Sequence, residues 1–410
     1  MQTALKSNSE HIEASESAPQ SLAVEKPQAA LQLAPALRKL AAESGSSYFK
    51  VLREYMRLAM GPGQLSFPEY MVLRAIQSEF PPTAETKAFV GIKAARTIWA
   101  QANFRSEFYE ILNSKIASTA LLAAYGLPTI PTLALYCTRA GVASPTLMRT
   151  EEALREFLTD ERNYPLFGKP LDGEMSLGSA SLAAYRRTDD RVIDIAGKTI
   201  ALGDYIADLT KHYGGGYLFQ RRVSPHTMVR DICGDRLATV RVLTILSEGK
   251  PRILRACWKI PAGENGADNF WRPDNLLAQL DRETGHIQRV IRRTADGIEE
   301  IARHPDSGAP LVGTLVPSWR AVTEAALEAA KVLPDVALIG WDVAPVDAGA
   351  VIVEPNHTPD LMLHQLADRR GILDADLRRF LDERKQLAVA WNQEQKRRVL
   401  TKAAAEMMHR

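Results

Sequence analysis

Residues 338–360 have the sequence LIGWDVAPVDAGAVIVEPNHTPD, in which two apolar runs flank a turn signal centred on Ala348. This pattern predicts two strands of a β-hairpin. A hairpin folded about Ala348 places Asp342 directly opposite Glu354, and directly opposed residues point to the same face of a sheet. Asn356 lies two residues beyond Glu354 and points to that face as well. The stretch therefore predicts two carboxylates and an amide oxygen at one point.

Oxygen ligands of this kind suit Mg²⁺, which usually takes one or two carboxylates and completes its shell with water and phosphate oxygens. An exposed edge hairpin with ordinary polar residues would show the same alternation. The apolar neighbours Ile339 and Val351 favour a buried sheet, in which two facing carboxylates would repel each other unless a cation lies between them. We therefore predict Asp342, Glu354 and Asn356 as metal ligands.

The whole chain has 410 residues, which predicts two or three domains. Its 51 Lys and Arg nearly balance its 49 Asp and Glu, so no overall charge points to nucleic acid or to a membrane surface. The three cysteines lie far apart and lack metal-binding spacing. This pattern is typical of buried thiols in a reducing compartment. No apolar run approaches the ~20 residues of a membrane span, and the N-terminus does not resemble a signal peptide. We expect a cytoplasmic protein without an integral membrane segment.

Patterns along the chain predict an α+β protein in five parts. Residues 1–33 are rich in Ser, Glu, Ala, Gln and Pro and predict a disordered arm. Helical periodicity predicts an N-terminal helical module over residues 34–102, which either packs on the main domain or forms an oligomer contact. Residues 103–224 and 225–375 mix strands with helices, and residues 376–410 predict two C-terminal helices. Long helices beside a strand-rich middle argue against a doubly wound fold.

One segment could bind phosphate. Lys169 ends a predicted strand and is followed by a loop that contains Gly173, Ser176 and Gly178. Such a loop can close over phosphates with backbone N–H groups, while the lysine meets an anionic oxygen as a point charge. A plain hairpin with one exposed lysine would explain the same residues.

Two further strands carry polar residues at informative positions. The apolar strand GYLFQRRV ends in Gln220, Arg221 and Arg222. Gln220 and the adjoining backbone could supply the donor and acceptor that an adenine edge requires, whereas the two arginines are more typical of surface charges. Arg241 lies among apolar residues of a predicted central strand, and a buried guanidinium needs an anionic partner. Phosphate, a substrate carboxylate or a structural Asp would each serve.

Two other features are less specific. Asp268 and Asn269 lie in a Gly-rich loop that could face a substrate, although an Asx turn is the simpler explanation. The C-terminal segment WNQEQKRRVLTK has a basic helix face, which is typical of a solvated surface.

Taken in order, these segments resemble an ATP-grasp enzyme: NSK opening a helix that ends in GLPTIP, then GKP with its loop, LFQRRV, ATVRV, GWDVA and VEPN. The segments ATVRVLTI, ADNF, LDRETGHI, IGWDVAPV and EPNHTPDLMLHQ resemble the sugar-transfer-associated ATP-grasp group, which is related to α-L-glutamate ligase-like proteins. The resemblance covers residues 68–375. It implies the ATP-grasp fold, in which two α+β subdomains, here residues 103–224 and 225–375, grip ATP between them.

The resemblance also implies roles for the phosphate-binding residues. Lys115 and Lys169 would contact the nucleotide phosphates, and the loop from Gly173 to Gly178, which includes Ser176, would cover them. This loop is less glycine-rich than many in the superfamily.

The remaining roles follow from the same resemblance. Gln220, with its neighbours Arg221 and Arg222, would hold adenine, and Arg241 would face the transferring phosphate. The hairpin ligands would hold Mg²⁺. Pro355 replaces the usual Val or Ile between the acidic ligand and the Asn, and this keeps the ligand spacing.

The activity that the resemblance implies is that of an ATP- and Mg²⁺-dependent carboxylate–amine ligase. Its partners would be a small-molecule carboxylate and a nucleophile, with no nucleic acid; a homo-oligomer is compatible with the sequence. One alternative is a phosphotransferase that acts on a hydroxyl or a sugar. Another is a nucleotide-binding protein without turnover, which would not need a complete set of metal ligands.

Overall fold

The computed structural model describes residues 33–76, 86–139, 146–172, 178–294 and 297–408. The predicted disordered arm, apart from its last residue, lies outside the described residues, as do Gly173 and Ser176. Strands and helices are both abundant and the strands form two sheets, so the predicted α+β class is confirmed.

The α-helices are α1 (Leu33–Glu43), α2 (Tyr48–Ala59), α3 (Phe67–Ile76), α4 (Ile92–Ala102), α5 (Tyr109–Asn113), α6 (Lys115–Ala124), α7 (Glu151–Thr159), α8 (Leu202–Tyr213), α9 (Thr227–Cys233), α10 (Trp319–Val332), α11 (Leu361–Asp368) and α12 (Ala375–Met408). The strands are β1 (Thr132–Tyr136), β2 (Leu147–Met148), β3 (Leu166–Pro170), β4 (Ala180–Arg186), β5 (Arg191–Asp194), β6 (Thr199–Ala201), β7 (Tyr217–Arg221), β8 (Val240–Ser247), β9 (Lys250–Ile260), β10 (Leu276–Leu280), β11 (Ile287–Arg293), β12 (Ile298–Ile301), β13 (Leu338–Val346) and β14 (Gly349–Asn356).

The first sheet has the strand order β2-β1-β7-β3-β4-β5-β6. Its helix-covered face packs under α7 and α8, and Tyr217 and Phe219 of β7 are buried there. Side chains alternate along a strand, so Gln220 points to the opposite face. Lys169 pairs with Leu218, which lies on that opposite face too. The alternation thus separates an apolar core on one side from the candidate binding residues on the other.

The second sheet is antiparallel throughout, in the order β12-β11-β10-β9-β8-β13-β14. One face packs under α10, where Val242 and Trp341 are buried. The other face packs against α11 and the N-terminal helices, and Leu37 and Tyr70 share a core there with Leu277 of β10. The helical module therefore packs on the main domain, which is the first of the two alternatives predicted from the sequence.

The C-terminal segment corrects one prediction. Residues predicted as two helices form the single 34-residue helix α12. The stretch between the two predicted helices contains neither Gly nor Pro, so nothing interrupts the helical hydrogen bonds. Leu377 and Phe380 near its start pack against α4. Across the described residues, no helix combines the length and the apolar character needed to cross a bilayer.

The two sheets divide the chain between Arg221 and Val240. A small apolar cluster joins them, formed by Ile130 before β1 and by Ala344 and Val351 of the hairpin. On both sheets the candidate residues lie on the strand face opposite the core that packs under α7 and α8 or under α10. The boundaries between the five parts predicted from the sequence stay predictions.

Candidate active site

The predicted hairpin forms the β13–β14 edge of the second sheet. Asp342 pairs with Glu354, as the sequence predicts. At the turn Val346 pairs with Gly349, so the turn is one residue shorter than predicted. A bulge at Val353 then shifts the pairing by one residue and brings Asp342 opposite Glu354. The two carboxylates are therefore opposed only because one extra residue is inserted in β14.

Asp342 is bound by two cations of its own sheet. Arg241, its cross-strand neighbour on β8, donates Nε to Oδ1 at 2.5 Å and Nη2 to Oδ2 at 2.9 Å. Lys259 on β9 donates Nζ to Asp342 Oδ2 at 3.0 Å and lies 3.5 Å from an Asp268 oxygen. The other Asp268 oxygen accepts hydrogen bonds from the backbone N–H and the hydroxyl of Thr239 at 2.7 and 2.5 Å. Two positive and two negative side chains thus form one connected cluster.

The charges in this cluster compensate one another in a buried position. Burial alone would raise the pKa of Asp342, but Arg241 and Lys259 outweigh it and hold that pKa well below its usual range. The expected repulsion between Asp342 and Glu354 is therefore wrong, because two cations already neutralise Asp342. The anionic partner that a buried Arg241 requires is Asp342, the structural Asp among the three alternatives left open by the sequence.

Glu354 and Asn356 each have an oxygen atom available to bind a metal. Both side chains are half-buried on the edge strand β14. Among the described residues, the Glu354 carboxylate has no hydrogen bond or ion pair. Asn356 donates Nδ2 to the Gly340 carbonyl at 3.4 Å, which leaves its Oδ1 atom unused. A carboxylate that makes no hydrogen bond or ion pair with the described residues, beside an amide oxygen, fits the ligand chemistry of Mg²⁺.

Asp342 has less capacity for a metal than the sequence suggested. A carboxylate offers about four lone-pair positions, and three hydrogen bonds already occupy the Asp342 oxygens. Within the described ranges no three His, Cys, Asp or Glu side chains converge as a metal site. A cation at this hairpin would therefore depend on the Asn356 amide as well as on the carboxylates.

Two lysines, Lys169 of the first sheet and Lys115 of α6, interact electrostatically near the hairpin carboxylates. Burial is the main reason that the pKa of Lys169 is lowered; Glu354 opposes this shift, whereas Lys115 adds to it. Lys115 opens α6 and donates Nζ to the Leu171 carbonyl at 2.6 Å. No hydrogen bond or ion pair joins the Lys169 ammonium to another described residue. The predicted phosphate-binding lysines and the predicted metal ligands thus occupy one electrostatic neighbourhood.

Gly178 ends the predicted phosphate loop in a conformation that needs glycine. Its φ is +72°, and a Cβ atom there would lie 2.4 Å from the Tyr213 hydroxyl. Its carbonyl accepts a hydrogen bond from the buried Tyr217 hydroxyl at 2.9 Å. The loop is therefore anchored at this end, while Gly173 and Ser176 lie outside the described residues.

The predicted adenine-binding residues differ in their partners. Gln220 is 1% exposed, and its Nε2 donates to the Ile130 carbonyl at 3.3 Å. Its Oε1 atom is buried without a hydrogen-bond donor among the described residues. Arg221 donates to the carbonyl oxygens of residues 162–164, and Arg222 pairs with Asp235 at 2.7 Å. Gln220 thus keeps an unused acceptor, whereas both arginines have intramolecular partners and their adenine contacts stay predictions.

A family model described as sugar-transfer associated ATP-grasp matches residues 95–380. The chain belongs to this family. The match confirms the predicted superfamily, the predicted narrower group and the ATP-grasp fold.

Solved structures show more distant similarity to this ATP-grasp chain. The D-alanine-D-alanine ligase from Coxiella burnetii is 12% identical, with a TM-score of 0.40 over 72% of this chain and 61% of that chain. The ATP-grasp ligase PsnB complexed with minimal precursor is 14% identical, with a TM-score of 0.37 over 68% of this chain and 62% of that chain. The chain thus spans about three fifths of the length of each of these structures. No curated protein sequence matches it.

The ATP-grasp site also contains residues that the sequence analysis did not assign, chiefly Lys259. Its neighbours Trp258 and Ile260 are buried under α10, so Lys259 points to the same face as Arg241. A lysine alternating with apolar residues in ACWKIP was a usable signal for an inward-facing cation.

The loop beside Lys259 contains the Asx turn that the sequence offered as the simpler explanation, and its contact with a substrate stays a prediction. Asn269 Oδ1 accepts a hydrogen bond from the Trp271 backbone N–H at 3.1 Å, which is the Asx turn. Asp268 instead joins the charged cluster. The Trp271 indole N–H donates to Asp360 Oδ2 at 2.7 Å, so the loop is fixed to the segment that follows the hairpin.

His364 is a second unassigned residue near Arg241. It is 1% exposed on α11, and neither ring nitrogen has a hydrogen-bond partner in the described part of the chain. Burial lowers the pKa of His364 to about 3, and the nearby Arg241 and Arg255 add to the shift. The imidazole is therefore neutral at pH 7 and brings no charge to the site.

Proposed function

We propose that this chain is an ATP- and Mg²⁺-dependent ligase of the ATP-grasp type. It would activate a carboxylate as an acyl phosphate for attack by an amine or another nucleophile. The observation that carries the proposal is the electrostatic interaction of Lys169 of the first sheet with both Lys115, at the start of α6, and Glu354 of the second sheet. This supports a site in which the two lysines would bind phosphates and the carboxylate would bind a metal.

ATP would bind with its phosphates at Lys115 and Lys169 and its adenine beside Gln220. The ammonium of Lys169, which has no partner among the described residues, supports the first contact. The buried Oε1 acceptor of Gln220 supports the second, because the adenine amino group is a donor that would satisfy it. The loop from Gly173 to Gly178 would cover the phosphates.

The metal would be held by Glu354, Asn356 and the remaining lone-pair position of Asp342. Mg²⁺ supplies charge neutralisation on the β- and γ-phosphates when it is bound. Arg241 is fixed by Asp342, and its Nη1 group makes no hydrogen bond to the described residues. That group is therefore available to the transferring phosphoryl oxygens, and Arg241 and Lys169 are the catalytic residues of the proposal.

The reaction then has two steps. A substrate carboxylate oxygen attacks the γ-phosphorus and ADP leaves, which gives an acyl phosphate. An amine attacks the acyl carbon, phosphate leaves and the amine loses a proton. The chain contributes mainly by positioning groups and stabilising charge.

A ³¹P NMR screen of the full chain tests this proposal. ATP and Mg²⁺ are supplied with pooled carboxylates, amino acids, peptides and amino sugars, each added alone and in pairs. A ligase releases ADP and free phosphate only when both a carboxylate and a nucleophile are present. A phosphorylated hydroxyl product would instead identify a phosphotransferase, and ATP binding without ADP in any pool would favour a nucleotide-binding protein. Glu354→Gln is the control that should abolish the signal.

A further inference from the structure

Lys259 lies between two carboxylates, only one of which belongs to the proposed metal site. Its Nζ atom is 3.0 Å from Asp342 Oδ2 and 3.5 Å from Asp268 Oδ1. Lys259 is 6% exposed, so water contributes little to its solvation. The ammonium therefore depends on these two side chains for its counterions.

A divalent cation at the hairpin competes with Lys259 for the charge of the same carboxylate, because the unoccupied lone-pair position of Asp342 lies on Oδ1. Asp342 Oδ2 already accepts hydrogen bonds from Arg241 and from Lys259. A metal that takes up the capacity of Asp342 weakens the ion pair with Lys259, and a buried ammonium without a counterion is strongly unfavourable. A second carboxylate beside Lys259 reduces this penalty.

Asp268 is held where it can serve as that second carboxylate. The backbone N–H and the hydroxyl of Thr239 both donate to its Oδ2 atom, which leaves Oδ1 toward Lys259. Its loop is anchored as well, since Asn275 Nδ2 donates to the carbonyls of Ala267 and Asn269 at 2.8 and 2.7 Å. Asp268 therefore cannot follow Lys259 toward Asp342.

We propose that Asp268 is a positioning residue that holds Lys259 and thereby opens Asp342 to the divalent cation. It acts through Lys259 and does not itself ligate the metal. The inference rests on the proposed function in one respect, namely that Asp342 is a cation ligand. It goes beyond that function because it assigns control of cation affinity to the loop next to the site.

The test measures Mn²⁺ binding to the full chain by electron paramagnetic resonance, without nucleotide and without turnover. Among the described residues, Asp268→Asn leaves Asp342 as the one carboxylate paired with Lys259, so we expect the Kd for Mn²⁺ to rise about tenfold. In a Lys259→Met background no ammonium competes, and the same Asp268→Asn change should alter the Kd by less than about twofold.

Three further variants calibrate this measurement. Asp274→Asn is the matched control, because Asp274 follows the same loop but pairs with Arg292 at 2.8 Å. It should leave Mn²⁺ affinity unchanged. Asp268→Glu keeps the charge and should restore part of the affinity lost in Asp268→Asn. Thr239→Val removes one of the two donors to Asp268 and should raise the Kd in the same direction but less.

The outcomes separate the inference from the proposed function. If Asp268→Asn weakens Mn²⁺ binding equally in the wild-type and the Lys259→Met backgrounds, Asp268 acts by its own charge and the inference is wrong. If Glu354→Gln also leaves Mn²⁺ binding unchanged, the hairpin holds no metal and the proposed function fails instead. Should Asp268→Asn not fold, as judged by circular dichroism, Thr239→Val in the two backgrounds gives the same comparison.

Discussion

The two sides of the site differ in how their polar groups are satisfied. On the second sheet, the charged cluster of Arg241, Lys259, Asp342 and Asp268 supplies its own counterions. On the first sheet, the Lys169 ammonium and the Gln220 Oε1 atom have no hydrogen-bond partner among the described residues. The second sheet is thus arranged before any ligand arrives, while the first sheet keeps groups that a ligand could satisfy.

Glu354 lies on the second sheet, but like Lys169 and Gln220 of the first sheet it has a polar group without a hydrogen-bond partner among the described residues. Its cross-strand partner Asp342 has three hydrogen bonds from cations, whereas Glu354 has none among the described residues. Two carboxylates paired in one hairpin should therefore respond differently to loss of charge. Asp342 therefore contributes to the stability of the fold as well as to the proposed metal site, whereas the proposed metal would be the first partner of Glu354.

The largest expected effect is on Glu354→Gln. Removing this carboxylate should reduce turnover by more than about 100-fold, since even residues that only support a metal ligand typically cost 10–100-fold. The free energy of unfolding in urea should change by less than about 1 kcal/mol, because no described cation pairs with Glu354. Glu299→Gln on β12 is the control and should leave both quantities unchanged. If the variant unfolds and its residual turnover still depends on Mg²⁺ as in the wild type, Glu354 is a structural residue and not a metal ligand.

Asp342→Asn should instead destabilise the protein. It removes the carboxylate that binds both Arg241 and Lys259 and leaves Asp268 beside Lys259 alone, and breaking a buried pair costs about 3–5 kcal/mol. Because the pKa of Asp342 is lowered by folding, its contribution is fully present above the unfolded value of about 4 and is lost as pH falls below it. The stability difference between wild type and variant, measured by urea unfolding, should therefore shrink below about pH 4. Equal stability at pH 7 would contradict the charged cluster.

The hairpin residues could be predicted because their relations are local. Strand alternation and one turn suffice to place Glu354 opposite Asp342 and Asn356 beside it. The order of the motifs then indicates the family without any measured contact. Even here the register depends on the bulge at Val353, which no residue type in the sequence announces.

The counterions of Asp342 could not be found in this way. Arg241 and Lys259 are 101 and 83 residues from Asp342 in the chain, and the order of β9, β8 and β13 in the sheet alone brings them together. Helix α11 was missed for another reason. Residues 361–367 are all buried, so no polar face marks a helical period. The sequence pattern therefore predicts neither the order of strands distant in the chain nor a helix that is buried on all sides.

An intermediate effect is expected for Lys169→Ala on the first sheet. A hydrogen bond to a charged group contributes about 1.5–3 kcal/mol, so the Kd for ATP should rise at least about tenfold. Isothermal titration with a nonhydrolysable ATP analogue measures this directly. Lys198→Ala, in the exposed turn before β6 of the same sheet, is the matched control. Unchanged affinity in Lys169→Ala would mean that Lys169 does not contact the phosphates, and the contrast between the two sides would lose its main support.

The smallest effect should come from Gln220→Met, which keeps the side chain's length and removes its buried acceptor. The adenine amino group would lose one hydrogen bond, worth about 0.5–1.5 kcal/mol, so ATP affinity should fall about threefold to tenfold. GTP presents a carbonyl oxygen where ATP presents the amino group, so its affinity should not fall. The preference for ATP over GTP, obtained by titrating both nucleotides, should therefore narrow by the same factor. Gln288→Met, exposed on β11, is the control. Equal losses for the two nucleotides would show that Gln220 shapes the pocket and that its unused acceptor has no ligand.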